Sequence, residues 1–179
     1  KRQTLFYAKQ KKLQMKQSSR EFQAEEYVKA ARKDFVDFYI ENIDTHTVPY
    51  AGMVELVEAL HRDGAKLAVA SNKFQAGTEK LIRKFFPNID FVEICGNREG
   101  VPLKPDTALV DFILEKAGVE RNRVAMVGDS GVDIQTARNA GITSIGVCWG
   151  FRSREELEEN RADHIVSSVE ELKKVLDEF

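Results

Sequence analysis

Four short apolar runs, each ended by turn residues and separated by helical patterns, constrain this chain more than any other feature. The clearest is Val124-Ala125-Met126-Val127, which breaks into Gly128-Asp129-Ser130 and leads to a helical stretch from Ile134 to Ala140. It reads as a buried strand because it is short, partly β-branched and bounded by turn residues. Leu67–Ala70, Phe91–Ile94 and Ile142–Val147 read the same way, and Ile165-Val166 as a short last strand. Helices fill the intervals. Pro49 opens one with Met53, Leu56, Val57 and Leu60 on one side and Gly64 at its end, Gln75–Phe86 stops at Pro87, and Asp106–Ala117 ends at Gly118. Ser153 to Glu156 and Ser168 to Glu171 have the spacing of capping boxes and start two late helices. Strands alternating with helices imply a parallel sheet covered on both faces, so the expected class is α/β. Ahead of it, Arg20 to Asn42 reads as an amphipathic helix with Val28, Ala31, Phe35 and Phe38 on one face. The expected division is an all-helical segment over 1–47 and an α/β core over 48–179.

In such a core, the carboxyl ends of the strands are where ligands bind. Asp129 falls at the end of one strand and Asp133 in the first turn of the next helix. Two carboxylates meeting at that edge suit a hard divalent cation such as magnesium, although Asp is also an ordinary turn and helix-start residue. Ser71-Asn72-Lys73 follows the Leu67–Ala70 strand. A hydroxyl and free N–H groups there can hold a phosphate oxygen, or merely make a turn. Lys104-Pro105 precedes the Asp106 helix, where Pro stiffens the loop and Lys offers a compact cation.

Composition narrows the classes. The 179 residues carry a net charge of −2, which gives no pull toward nucleic acid or anionic membrane. No apolar run approaches the ~20 residues that span a bilayer. No secretory signal is visible, and Cys95 and Cys148 lie far apart, as free thiols of a reducing compartment do. The expected setting is cytoplasmic. Lys1 to Arg20 holds seven basic and no acidic residues. Without the interleaved aromatics of single-strand binders it reads as a solvated helix face, as does Glu155 to Glu159. None of the three His has a His or Cys partner at metal-ligand spacing.

Taken in order, the apolar run ending in Ser71-Asn72-Lys73, then Lys104-Pro105-Asp106, then Val127-Gly128-Asp129-Ser130 with Asp133, Ala137, Ala140 and Gly141, resemble the haloacid dehalogenase-like phosphohydrolase superfamily. The closing Ile145-Gly146-Val147-Cys148-Trp149-Gly150, with Ala162-Asp163 and Val169-Glu170-Glu171-Leu172, is most similar to its phosphoglycolate phosphatase branch. The resemblance implies a Rossmann-like core with a partial α-helical cap, a magnesium cofactor and a small phosphorylated metabolite as substrate. Ser71 would supply the phosphate-binding hydroxyl, with Asn72 beside it. Lys104 would steady the phosphate and the nucleophile's charge. Asp129 would bind the metal, and Asp133 would support it directly or through water and Lys104. Phosphoryl transfer asks mainly for positioning and for charge neutralisation on the equatorial oxygens, which these groups provide.

The family's first motif, Asp-x-Asp-Gly-Thr, has no counterpart, and no Asp-x-Asp occurs in the sequence. In the family it supplies the Asp that forms an aspartyl-phosphate and the Asp that acts as acid and base. It also ends a central strand lying between those that correspond to 67–70 and 124–127. Without it, those two runs would present open edges, an aggregation hazard. The expectation is therefore a phosphatase whose nucleophile sits on an amino-terminal segment outside these residues, belonging to a longer chain or supplied by another chain. These residues alone should be inactive. A catalytically dead binding or regulatory relative is the alternative, a phosphomutase of the same superfamily would share every residue named, and a receiver-like module or a metal-free dehalogenase fits less well.

Overall fold

A computed structural model describes residues 24, 26–31 and 33–179. The basic stretch Lys1–Arg20 and the start of the expected Arg20–Asn42 helix lie outside the described residues. The chain divides into two compact units, one ending at Thr45 and the other spanning His46–Phe179.

In the first unit a helix, α1, runs through residues 33–42, with residues 24 and 26–31 also helical. Lys33 and Asp37 pair across one turn at 2.6 Å, and the Phe35 and Tyr39 rings stack at 6.0 Å. The apolar face expected from the spacing is present as a stripe, but Val28, Phe35 and Phe38 are all exposed.

The second unit is built as β strands alternating with helices. In order they are α2 (Met53–Arg62), β1 (Ala68–Phe74), α3 (Gln75–Phe85), β2 (Glu93–Asn97), α4 (Ala108–Ala117), β3 (Ala125–Gly128), α5 (Gly131–Ala140), β4 (Thr143–Val147), α6 (Arg154–Glu159), β5 (His164–Val166) and α7 (Val169–Leu176). All pairings are parallel. β4 is the best buried strand, with Ile145 and Ser144 wholly inaccessible. Its two faces carry separate cores. Leu56 of α2 and Leu172 of α7 join Ile145, Val147 and Val166 on one side. Val110 and Leu114 of α4 join Ala137, Ala140 and Ile142 on the other. This is the two-sided cover that a parallel sheet requires.

Three boundaries differ from the pattern reading, each for a local reason. β1 runs to Phe74 instead of stopping at Ala70, so Ser71-Asn72-Lys73 lies within the strand. Its register with β2 shifts between Ala70 and Phe74. There the Gln75 amide takes over the ladder, accepting from Gly96 N–H (2.5 Å) and donating to Ile94 O (2.8 Å). β2 begins at Glu93 because pairing is opened by Val92 N–H on Leu67 O (2.8 Å). α4 starts two residues after Asp106, whose carboxylate accepts from Ala108 N–H (2.9 Å). The capping boxes are half made. Ser153 and Ser168 accept from Glu156 and Glu171 N–H. The Glu156 carboxylate instead takes Gly131 N–H (2.9 Å), at the start of α5.

Among the described residues the sheet is in two pieces, β1-β2 and β3-β4-β5. β1 and β3 each have one partnered edge and one without a strand. Ordinarily the middle strands of a doubly covered parallel sheet are the most buried. Here Val127 of β3 is 39 % exposed while Ile145 of β4 is at 0 %.

Candidate active site

The residues singled out from the sequence meet where β1 passes Ala70–Asn72 and at the carboxyl end of β3. Lys104 is the centre. Its side chain is 9 % exposed, and its ammonium donates to Ala70 O (2.8 Å) and to Asp133 Oδ1 (2.6 Å). One cation thereby ties the first half of β1 to the first turn of α5, across the break in the sheet. A buried ion pair is helped when the partners' other hydrogen-bonding groups are engaged; here both Asp133 oxygens are, and Lys104 keeps one N–H over. Asp133 Oδ2 accepts from the Ser130 hydroxyl (2.7 Å) and from Ser130 N–H (3.2 Å).

Asn72 has a different task from the one its neighbour Ser71 suggests. Its amide clamps the Lys104 backbone from both sides, Oδ1 accepting from Lys104 N–H (2.9 Å) and Nδ2 donating to Lys104 O (3.0 Å). The Lys104–Pro105 peptide inside that clamped loop is cis. Ser71 is half-buried on β1, and its hydroxyl accepts from Lys73 N–H (3.1 Å), a local turn bond that leaves the hydroxyl hydrogen for a ligand.

Asp129 stands at the end of β3. Its Oδ2 accepts from Phe151 N–H (2.8 Å), which fastens the loop after β4 to the carboxylate. The two carboxylates owe their positions to two glycines. A Cβ on Gly150 would lie 2.1 Å from Asp129 Cβ, and one on Gly128 would lie 2.2 Å from Asp133 Cβ. Neither distance is physically possible, so each aspartate packs against bare backbone. Asp129 and Ser130 line an open cleft of about 500 Å³ with Phe151 and Arg152.

For a cation the donor set is all oxygen. Both oxygens of Asp133 are taken by Lys104 and Ser130, whereas Asp129 accepts at one oxygen and borders the cleft. No group of three or more His, Cys, Asp or Glu that could hold an ion occurs among the described residues. A carboxylate at a cleft, completed by water and substrate oxygens, is the habit of magnesium, so the residues fit that ion with Asp129 as the contributing ligand.

Sequence reasoning named Ser71, Asn72, Lys104, Asp129 and Asp133, and all five lie at this edge. It missed the structural weight of Gly128 and Gly150 and the roles of Ser130 and Phe151. The Gly-Asp and Trp-Gly dipeptides were the available signal, since a Gly beside a strand end often marks close backbone approach. Trp149, near the edge, packs against the Leu56–Ile145 core as aromatic filler. Cys95 is buried and free, and burial pushes its thiol pKa up; Cys148 is free and half-buried.

Residues 5–147 match the family model for haloacid dehalogenase-like hydrolases, and the chain belongs to that family. Its curated relatives include a phosphoglycolate phosphatase from Mesorhizobium japonicum, 34% identical over 122 residues, covering 68% of this chain and 54% of that protein. Another, from Vibrio parahaemolyticus, is 29% identical over 145 residues, covering 81% and 64%. Among solved structures, a candidate phosphoglycolate phosphatase from Lactobacillus delbrueckii subsp. bulgaricus superposes with a TM-score of 0.74 at 34% identity, covering 79% of this chain and 59% of that one. The chain thus spans between about half and two thirds of the length of these relatives. Among the described residues no helix is long and apolar enough to cross a membrane.

Proposed function

We propose that this chain is the larger part of a magnesium-dependent phosphatase acting on a small phosphorylated metabolite of the phosphoglycolate kind. The carrying observation is Lys104, a buried ammonium held between Ala70 O of β1 and Asp133 in the first turn after β3. In this reading Lys104 neutralises phosphate charge with the N–H that its two partners leave over. Ser71 donates its hydroxyl to a phosphate oxygen. Asn72 positions the Lys104 backbone, and Asp133 positions the Lys104 ammonium. Asp129 would hold magnesium, which when bound adds positive charge beside the phosphate. The curated relatives of that name support the substrate class.

The nucleophilic carboxylate belongs, in this proposal, to a strand that is not among the 179 residues and that enters between β1 and β3. The break in the sheet and the half-exposed Val127 support it, because an added parallel strand there would partner both open edges. The residues 1–47 would be part of the helical cap, and the protein would work in the cytoplasm. A second reading, a binding or regulatory relative without turnover, is favoured by the absence of any Asp-x-Asp in the sequence.

The test is a magnesium-dependent phosphatase assay with phosphoglycolate on two proteins. One is the 179-residue chain; the other carries an Asp-x-Asp-bearing strand ahead of residue 1. No turnover by the first and turnover by the second, abolished by Asp129→Ala, is the expected result. Turnover by the short chain refutes the missing nucleophile. A folded, inactive longer protein leaves the binding reading.

A further inference from the structure

The loop after β4 carries groups that the phosphate site does not use. Phe151 N–H is bonded to Asp129 Oδ2 (2.8 Å), and Gly150 runs in contact with the same carboxylate. The loop is therefore fixed to the site rather than draped over it. The next side chain, Arg152, lines the cleft of about 500 Å³ together with Asp129, Ser130 and Phe151. Its nearest anion is Glu156, with Nε 3.8 Å from Oε2, too long for a hydrogen bond. The other Glu156 oxygen is occupied by Gly131 N–H (2.9 Å). Arg152 thus keeps its planar set of donors available beside the site, with its side chain 60% exposed. Phe151, 93% exposed, adds an apolar wall to the same cleft.

We propose that Arg152 is a specificity residue that binds a second anionic group, a carboxylate, on the far end of the phosphorylated substrate. The inference rests on the phosphate site proposed above and deepens it. A guanidinium takes a carboxylate through two parallel N–H···O bonds, a match that a point-charge ammonium does not make. Asp129 and Arg152 border one cleft, so the substrate is short: a phosphorylated hydroxy acid with one or two carbons between its anions, lying across the Phe151 ring. A plain surface ion pair with Glu156 is the structural alternative, and such exposed pairs contribute little.

Calorimetric titration in magnesium buffer of the longer, Asp-x-Asp-bearing protein, with the first Asp of that motif changed to Asn to prevent turnover, separates these. The ligands are phosphoglycolate, ethyl phosphate, which puts a methyl group where the carboxylate stands, and inorganic phosphate. With Arg152 intact, this protein should bind phosphoglycolate at least about tenfold more tightly than ethyl phosphate. Arg152→Gln should remove that preference by weakening phosphoglycolate about 10- to 100-fold, with Arg152→Lys between, and melting temperature unchanged. Equal binding of the two esters with Arg152 intact, or equal weakening of both by Arg152→Gln, overturns the role of Arg152 and leaves the phosphate site standing. Absence of binding by all three ligands overturns the phosphate site, and Arg152 with it.

Discussion

Asp163 shows at the scale of one residue how a side chain pins a strand. Its Oδ2 accepts from the Ser144 hydroxyl (2.6 Å) and from Ser144 N–H (2.8 Å), while its own N–H donates to Ser144 Oγ (2.9 Å). Those bonds lock the entry of β5 against β4. The Ser144 hydroxyl, chiefly, holds the Asp163 carboxyl below its usual 3.8, against the opposing cost of desolvation. A carboxyl with a depressed folded-state pKa stabilises the protein above its unfolded value and loses that contribution as pH falls through the folded one. Asp163→Asn should therefore cost about 1 kcal/mol at pH 7, a figure discounted for the exposed position, and the gap to wild type should begin to narrow as pH falls below roughly 4. Urea melts of both proteins across pH 3 to 7 check this. A gap of unchanged size from pH 7 down to pH 3 would assign the effect to packing. The sequence offered Ala162-Asp163 only as part of a resemblance, because the hydroxyl that explains it lies on another strand. The same blindness explains Asn72. Turn chemistry and phosphate binding were both legible at Ser71-Asn72-Lys73, but a clamp on the Lys104 backbone, 32 residues away, has no local signature.

Elements were legible in kind and less so in extent. Period and turn residues announce β3, α5 and β4 almost as they stand, since those runs are short and sharply bounded. β1 was read as ending at Ala70 because Ser-Asn-Lys looks like a turn, whereas the Gln75 amide keeps the ladder going past the irregularity. The element with the most consequence for the site is the loop after β4. It passes so near Asp129 that a single methyl group has no room. Gly150→Ala should displace the Asp129 carboxylate and weaken magnesium binding about tenfold or more, yet cost only a modest part of the stability, since the two cores lie elsewhere. Magnesium titration followed calorimetrically, beside a thermal melt, tests it. Unchanged affinity with a lowered melting temperature would make Gly150 a packing residue only.

At the scale of the whole molecule the governing fact is that the sheet, among the described residues, is in two pieces. The α/β class, the parallel pairing and the covered faces were all readable from alternation alone, whereas the expectation of open edges on the runs now seen as β1 and β3 came from the family resemblance and its absent first motif. Strand order was not readable from pattern, because pairing is a long-range property. The open edges give a prediction whose sign depends on the protein used. Val127→Lys places a charge on a half-exposed strand, which should reduce self-association of the 179-residue chain in sedimentation velocity. In a longer protein with a strand beside β3, the same change should cost about 1–3 kcal/mol, because the position would then be buried. Equal effects in both would mean that β3 meets the same surroundings in each.

The Asn72 clamp has one more consequence. It grips the Lys104 loop through main-chain amides, so ionic strength has little purchase on where that loop sits. Salt screens the attraction of exposed charges for an incoming anion, within a Debye length of about 8 Å at physiological strength. It does not loosen a neutral amide pair. Rising salt should slow capture of a phosphorylated ligand while leaving the receiving geometry unaltered, so that the site remains assembled even where it is electrostatically muted.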